Sequence, residues 1–120
     1  MIEFLPQNEG HLVALRFHGK LEHEDFEQLA PLLDEQIDVE GGSIRLLIDL
    51  EDFEGYEDLH ALWDHFLLVK DHHKAVERIA VVGDEDWERL LVEYVGRFTN
   101  AEVGYYAAKR HDAALEWLAR

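Results

Sequence analysis

The sequence contains no cysteine, which excludes disulfide bonds, thiol nucleophiles, zinc ribbons and iron–sulfur clusters. It has one serine, Ser43, and one threonine, Thr99, so a serine-hydrolase triad has almost no candidate nucleophile. No segment approaches the roughly 18 consecutive apolar residues of a membrane-spanning helix, and Met1–Phe4 has neither the basic nor the apolar region of a signal peptide. We therefore expect a cytoplasmic protein.

Positive charge is also scarce. Eleven Lys and Arg against 27 Asp and Glu give a formal net charge of −16. Such a charge repels phosphate backbones, so we expect no nucleic-acid partner, and it also serves simply to keep a surface solvated. The 120 residues, 48% of them hydrophobic, are enough for one core, and we predict a single domain over residues 1–120.

The hydrophobic period alternates between two residues and about 3.6, which predicts strands and helices in turn. The predicted strands cover residues 2–5, 12–17, 44–50, 76–82 and 101–107, and the predicted helices cover 24–37, 57–73, a segment after Gly83-Asp84, and 112–119. Pro31 is expected to kink or divide the first helix. The order ββαβαβαβα predicts an α/β domain with a mixed, mainly parallel sheet and about four packed helices.

Two of these helices carry apolar stripes. In the second, the stripe leaves Leu67 at its edge and Leu68 on the opposite side, which predicts that Leu68 is exposed. A locally basic segment with Lys70 and Lys74 follows, and apolar side chains beside cations suit a membrane surface or a protein partner. In the third, the stripe should face the sheet and place Glu88, Arg89 and Glu93 outside. The two core-facing stripes are Leu59, Leu62, Trp63, Phe66 and Val69, and Trp87, Leu90, Leu91, Tyr94, Val95 and Phe98.

The sequence contains none of the common glycine-rich phosphate loops, nucleophile elbows or zinc motifs, so we predict no enzyme activity and no cofactor. Six carboxylates lie within residues 49–58, after the central strand, where open α/β sheets place their sites. This cluster predicts a solvated loop whose acidic side chains favour the N-terminus of the following helix. The alternative is a divalent-cation or acid/base site. His60 with Asp64, and the His72-His73 pair, lack a third ligand at fixed spacing, so no metal site is predicted.

Several strings in this order resemble the SpoIIAA-like family, bacterial domains with the fold of the STAS domains (sulphate transporters and anti-sigma-factor antagonists). These strings are Phe26-x-x-Leu29-Ala30-Pro31, Leu47-Ile48-Asp49-Leu50 with Phe53-x-Gly55 after it, Arg78-Ile79-Ala80-Val81-Val82-Gly83-Asp84 with Trp87, and Ala114-Leu115-Glu116-Trp117-Leu118. In the antagonists, the loop after this strand carries a phosphorylatable serine in an Asp-Ser-Ser-Gly context. Here Asp52-Phe53-Glu54-Gly55 has no hydroxyl, so that switch is not expected.

For the SpoIIAA-like branch, the resemblance implies a fold also likened to the lipid-binding CRAL-TRIO domains, with small apolar ligands and peripheral membrane association. We accordingly expect a non-catalytic module whose second and third helices cover an apolar cavity for a lipid-like ligand. The candidate lining residues are Trp63, Phe66, Leu67, Trp87, Leu91, Tyr94 and Phe98. The alternative is a protein-interaction regulator related to the antagonists, and the candidate partner or membrane surface comprises Phe53, Gly55, Leu68, Lys70 and Lys74.

Overall fold

The computed structural model describes the backbone of residues 1–6, 10–97, 99 and 101–120. Within these ranges it describes all side chains except those of Leu59, His60, Leu62, Trp63, Phe66, Lys70, His73, Leu91, Tyr94 and Val95. The strands are β1 (Ile2–Phe4), β2 (Leu12–Phe17), β3 (Gly19–Leu21), β4 (Ile44–Asp49), β5 (Phe53–Tyr56), β6 (Val76–Val82) and β7 (Glu102–Tyr106). The helices are α1 (His23–Val39), α2 (Leu59–His72), α3 (Asp86–Gly96) and α4 (His111–Ala119).

Five strands form the main sheet in the order β1-β2-β4-β6-β7. Strand β1 is antiparallel to β2, and the other neighbours are parallel. The predicted mixed α/β fold is confirmed. Since parallel strands all run the same way, Arg16, Asp49, Val82 and Tyr106 form one row near the carboxyl edge of the sheet.

The sheet buries a separate apolar cluster on each face. On one face, Val13, Leu15 and Leu46 pack with residues of α1 and with Ala61 of α2. On the other, Ala14, Leu47, Ala80 and Val82 pack with α4. The central strands are therefore apolar on both sides, which explains the almost uninterrupted hydrophobic run in β4.

Two features differ from the sequence prediction. Helix α1 is one continuous helix that includes Pro31, so the expected division is absent. Strands β3 and β5 form a second, two-stranded parallel sheet that the hydrophobic pattern did not indicate. Gly55 within β5 has φ +111°, a conformation that side-chain-bearing residues rarely adopt, so this position depends on glycine.

An aromatic cluster joins this small sheet to the helices. The His65 ring is stacked on Phe26, with centroids 5.3 Å apart, and lies 6.0 Å from Phe17 and 5.7 Å from Tyr56. Tyr56 Oη is 2.5 Å from His65 Nδ1, so the hydroxyl donates a hydrogen bond to the neutral imidazole. Burial lowers the pKa of His65 to about 4 and raises the pKa of Tyr56 to about 12.

Candidate functional site

The predicted ligand-lining residues do not form one described pocket. Trp63 and Phe66 lie in α2, and Leu91 and Tyr94 lie in α3, but their side chains are outside the described part, and Phe98 is outside the described residues. Leu67 lines a groove between α1 and α2. Trp87 lies on α3 and is 47% exposed, with its ring 6.1 Å from Phe53.

The predicted surface set is also divided. Phe53 and Gly55 lie in β5, Lys74 is exposed, and the Lys70 side chain is outside the description. The prediction that Leu68 is exposed is wrong, because Leu68 is partly buried and packs against the larger apolar cluster. Helix α2 contacts α1 as well as the sheet. A larger part of its surface is therefore covered than the single core-facing stripe predicted from its sequence.

Helix α3 is rotated relative to the prediction. Glu88, expected outside, is 1% exposed, whereas Trp87 and Leu90, expected inside, are 47% and 62% exposed. The helix packs on β7 near the end of the sheet, so only part of its surface is covered by other elements. As a result, α3 presents two large apolar side chains outward and one carboxyl group inward.

The buried carboxyl group of Glu88 contacts the neighbouring strand. Tyr105 Oη of β7 donates a hydrogen bond to Glu88 Oε1 at 3.1 Å, and Glu88 Oε2 is buried with no hydrogen-bond partner among the described residues. Burial raises the pKa of Glu88, against the lowering effect of the Tyr105 hydrogen bond. Burial and the nearby Glu88 charge raise the pKa of Tyr105 to about 12.

Gly83 makes room for this contact. A Cβ atom at this position would overlap Glu88 Oε1 and lie 2.8 Å from Tyr105 Oη. We therefore expect Gly83→Ala to lower the free energy of unfolding by about 1–3 kcal/mol, measured by urea denaturation, because the added methyl group overpacks a closed contact. Most of that loss should disappear in a Glu88→Ala, Tyr105→Phe background. An equal loss in both backgrounds would mean that the contact is not the cause.

A cavity of about 440 Å³ opens between α3 and β7. Its lining combines aliphatic groups with two guanidinium groups and one carboxylate, and consists of Arg89, Val92, Glu93, Gly96, Arg97, Val103 and Tyr105. Arg89 makes only an exposed ion pair with Asp86 at 3.3 Å. Within the described residues, Arg97 makes no ion pair, although the chain carries excess acid. The cavity thus places available positive charge beside an apolar wall.

The carboxylates of residues 49–58 point in different directions. Asp49 is fully buried, Asp52 Oδ2 lies 3.4 Å from His18 Nδ1, and Asp58 Oδ1 accepts a hydrogen bond from the Ala61 N–H near the start of α2. Among the described residues, no three His, Asp or Glu side chains are placed to share a metal ion. The prediction of a solvated loop is therefore only partly correct, because Asp49 is buried at the end of β4 and Glu54 lies within β5.

Asp49 is the centre of a buried polar cluster instead. Its Oδ2 accepts hydrogen bonds from Arg16 Nε at 3.1 Å and Arg16 Nη2 at 2.8 Å, and its Oδ1 accepts one from the Glu51 N–H. His111 Nδ1, at the start of α4, lies 3.8 Å from Oδ2. Hydrogen bonding to Asp49 raises the pKa of Arg16. The cluster links β2, β4 and α4. Because both oxygens of the Asp49 carboxylate already accept hydrogen bonds, we infer a structural role for it.

Sequence reasoning missed Arg97 and Tyr105 as cavity residues and Glu88 as a buried group. The one available signal was Gly83, a glycine directly after a buried strand, which is typical of a close approach to the backbone. Of the helical candidates for metal binding, Asp64 is hydrogen-bonded to His23 and His72 to Asp34, and the side chains of His60 and His73 lie outside the described part. In the described part of the chain, every helix is too short or too polar to span a bilayer.

Comparison with known proteins agrees with this architecture. The sequence profile of the SpoIIAA-like family matches residues 12–119. A crystal structure of an uncharacterised DUF3478-family protein with a SpoIIAA-like fold, from Shewanella loihica PV-4, aligns over 98% of this chain and 92% of its own, with 30% identity and a TM-score of 0.82. A comparison with curated proteins gave no match.

The anti-sigma factor antagonist SpoIIAA, in its unphosphorylated form, aligns over 99% of this chain and 98% of its own with a TM-score of 0.63. At 11% identity this similarity concerns the fold alone. The family match over most of the chain and the 30% identical structure are the stronger findings. On these two grounds, the chain belongs to the SpoIIAA-like family.

Proposed function

We propose that this protein is a non-catalytic binding module that holds a small amphiphilic ligand, an apolar chain with an anionic head, between α3 and β7. The observation that carries the proposal is the cavity of about 440 Å³ in that position. Cavities of roughly 300–1,000 Å³ with apolar walls and a few polar groups are typical of small-molecule sites. Val92, Gly96 and Val103 supply the wall, and Arg89 and Arg97 supply the charge.

The sign of the charge selects the head group. A guanidinium group binds carboxylate or phosphate oxygens through charge-assisted hydrogen bonds, and Arg97 makes no ion pair with the described residues that a ligand would have to displace. The net charge of −16 repels an anion at long range, so the ligand must gain affinity from contact with the apolar wall as well. A fatty-acid-like molecule has both features.

Arg97→Gln tests the proposed site with sodium decanoate as the probe. The variant should weaken decanoate binding by about tenfold or more, measured by isothermal titration calorimetry, because a lost charge-assisted hydrogen bond costs about 1.5–3 kcal/mol. Arg110→Gln removes the same charge from an exposed position at the start of α4 and should leave affinity unchanged. Decanol, which lacks the anion, should bind Arg97→Gln and the unaltered protein equally.

Equal weakening by the two substitutions, or no saturable decanoate binding, would contradict the proposal.

We also propose that the protein binds peripherally to a membrane. Sedimentation with phosphatidylcholine vesicles, with and without decanoate, tests this proposal. A neutral lipid is used because the acidic chain disfavours anionic surfaces.

A protein-interaction function is the second candidate, and a separate observation favours it. Trp87 and Leu90 are exposed side by side on α3, and the Trp87 ring contacts Phe53 on the small sheet. Exposed aromatic residues are enriched at protein interfaces. SpoIIAA, which shares the fold, is an anti-sigma factor antagonist.

A further inference from the structure

A second concave feature lies between α1 and α2, away from the α3–β7 cavity. This α1–α2 groove encloses about 170 Å³. Its walls consist of His23, Phe26, Glu27 and Ala30 from α1 and Asp64, Leu67, Leu68, Asp71 and His72 from α2. Each set follows the i, i+3, i+4, i+7 spacing of one helical face, so the groove runs for about 10 Å along both helices.

The groove has an apolar floor. Phe26 and Leu68 pack into the larger apolar cluster beneath it, and Ala30 and Leu67 are half-buried at its sides. Because alanine occupies the middle of the α1 wall, the two helices leave a space that a larger side chain there would fill. The floor is therefore open to an apolar group from outside the chain.

The rim of the groove is acidic. His23 at one end lies between two carboxylates, with Nδ1 2.5 Å from Asp64 and Nε2 2.7 Å from Glu27. Across the groove, Asp71 is exposed. Even with a protonated imidazole, these four side chains carry a net negative charge, and the whole chain has a formal net charge of −16. The second histidine of the groove, His72, is hydrogen-bonded through Nε2 to Asp34 Oδ1 at 2.8 Å.

From this geometry we propose that the α1–α2 groove is a docking site for a helical segment of a partner protein, one that presents a single large apolar side chain flanked by Lys or Arg. The volume corresponds to one leucine or phenylalanine side chain and lies well below the roughly 300 Å³ at which small-ligand sites begin. Amphipathic helices dock into apolar grooves by inserting such anchors at helical spacing. The acidic rim selects a basic partner and accelerates its association.

The probe is a fluorescein-labelled, helix-forming peptide of alanines in which one leucine is flanked by four lysines. Two matched peptides replace either the leucine with serine or the lysines with glutamate. Fluorescence anisotropy at constant salt should show saturable binding of the first peptide and at least about tenfold weaker binding of the other two, since both the anchor and the charge contribute. Backbone amide shifts should map to Ala30, Leu67 and Leu68.

Two kinds of variant locate the binding. Ala30→Trp fills the groove without changing charge, and the Glu27→Gln, Asp71→Asn pair removes two rim charges. Each should weaken the peptide by about tenfold or more. The matched control is the Asp112→Asn, Glu116→Gln pair on α4, which makes the same charge change on the opposite face of the sheet and should have less than about a twofold effect.

Binding that is weakened equally by the α4 pair would be non-specific attraction to an acidic protein and would overturn the proposal. The same holds if Ala30→Trp binds normally, if the serine peptide binds as well as the leucine peptide, or if the leucine peptide shows no saturable binding. The urea midpoint of each variant is measured first, and Ala30→Met replaces Ala30→Trp if the latter unfolds. Decanoate should not compete with the peptide, so this result is separable from the test of the α3–β7 cavity.

Discussion

Asp49→Ala is expected to lower the free energy of unfolding by about 3 kcal/mol, measured by urea denaturation. Asp49 is fully buried and accepts two hydrogen bonds from Arg16 and one from the Glu51 N–H. Removing one partner of a buried ion pair typically costs about 3–5 kcal/mol because it leaves an uncompensated charge. Arg16 retains 29% exposure and can partly rehydrate, so the lower end of that range applies.

Two controls separate the buried pair from a general effect of charge. Asp49→Asn keeps an oxygen that can accept the Glu51 N–H, and should therefore cost less than Asp49→Ala. Asp52→Ala removes a carboxylate that is 57% exposed and should change stability by no more than about 0.5 kcal/mol. If all three substitutions had the same small effect, the buried Arg16–Asp49 pair would not be the source of the stability. If millimolar Mg²⁺ raised the melting temperature only when Asp49 was intact, Asp49 would belong to a cation site instead.

The sequence predicted the parts of the fold that depend on one dominant local signal. The predicted strand over residues 76–82 matches the observed bounds of β6, Val76–Val82, because the strand contains the apolar run Ile79–Val82 and Gly83 follows it directly. The small β3–β5 sheet was missed because its strands have three and four residues and a register shift between Gly19 and Lys20. So short a segment carries too few residues for a period to be recognised.

The candidate sites were less predictable because they depend on how helices are rotated against their neighbours. The stripe from Trp87 to Phe98 is compatible with an inward face, but the contact of Glu88 with Tyr105 and Gly83 sets a different rotation. That contact joins α3, β7 and the end of β6, and no spacing within α3 encodes it. Leu68 was misplaced for a similar reason, since α1 covers a side of α2 that its own sequence indicates as free.

The histidines illustrate the same limit. The i, i+4 spacing of His60 and Asp64 can suit a metal ion, but nothing in that spacing indicates the hydrogen bond between Asp64 and His23, 41 residues away. No sequence pattern indicated a role for His65, yet it lies at the centre of the aromatic cluster between α1, α2 and β5. Burial of an imidazole is a property of the assembled fold and leaves no local signature.

That burial should make the domain sensitive to acid. Because burial lowers the folded-state pKa of His65 to about 4 from 6.5, the unfolded state takes up a proton first as the pH falls. The stability that neutral His65 provides is therefore present above about pH 6.5 and is lost progressively towards pH 4. A difference of about 2.5 pKa units corresponds to about 3.5 kcal/mol in full, of which about 3 kcal/mol is lost by pH 4, since each unit is worth about 1.4 kcal/mol.

Other groups titrate over the same range, so the prediction concerns a difference between two variants. The pKa of His23 is raised, chiefly by its hydrogen bond to Asp64, so the stability that His23 contributes increases as the pH falls towards 6.5 and is fully present below it. The reference is therefore Tyr56→Phe, which keeps His65 but removes the hydroxyl bonded to it. The test variant is Tyr56→Phe with His65→Phe, which retains an aromatic ring and leaves no hydroxyl without its acceptor.

Urea denaturation of both variants between pH 7.5 and pH 4 should show a widening gap in favour of the variant without His65. The gap should approach about 3 kcal/mol at the acid end, because only the reference must then bury an imidazole that the unfolded chain holds protonated. His11→Gln, which removes a 60% exposed histidine, should retain the acid-dependent loss of the unaltered protein. Parallel curves for the two Tyr56→Phe variants would mean that His65 titrates as in the unfolded chain, and that the aromatic cluster opens to water far above pH 4.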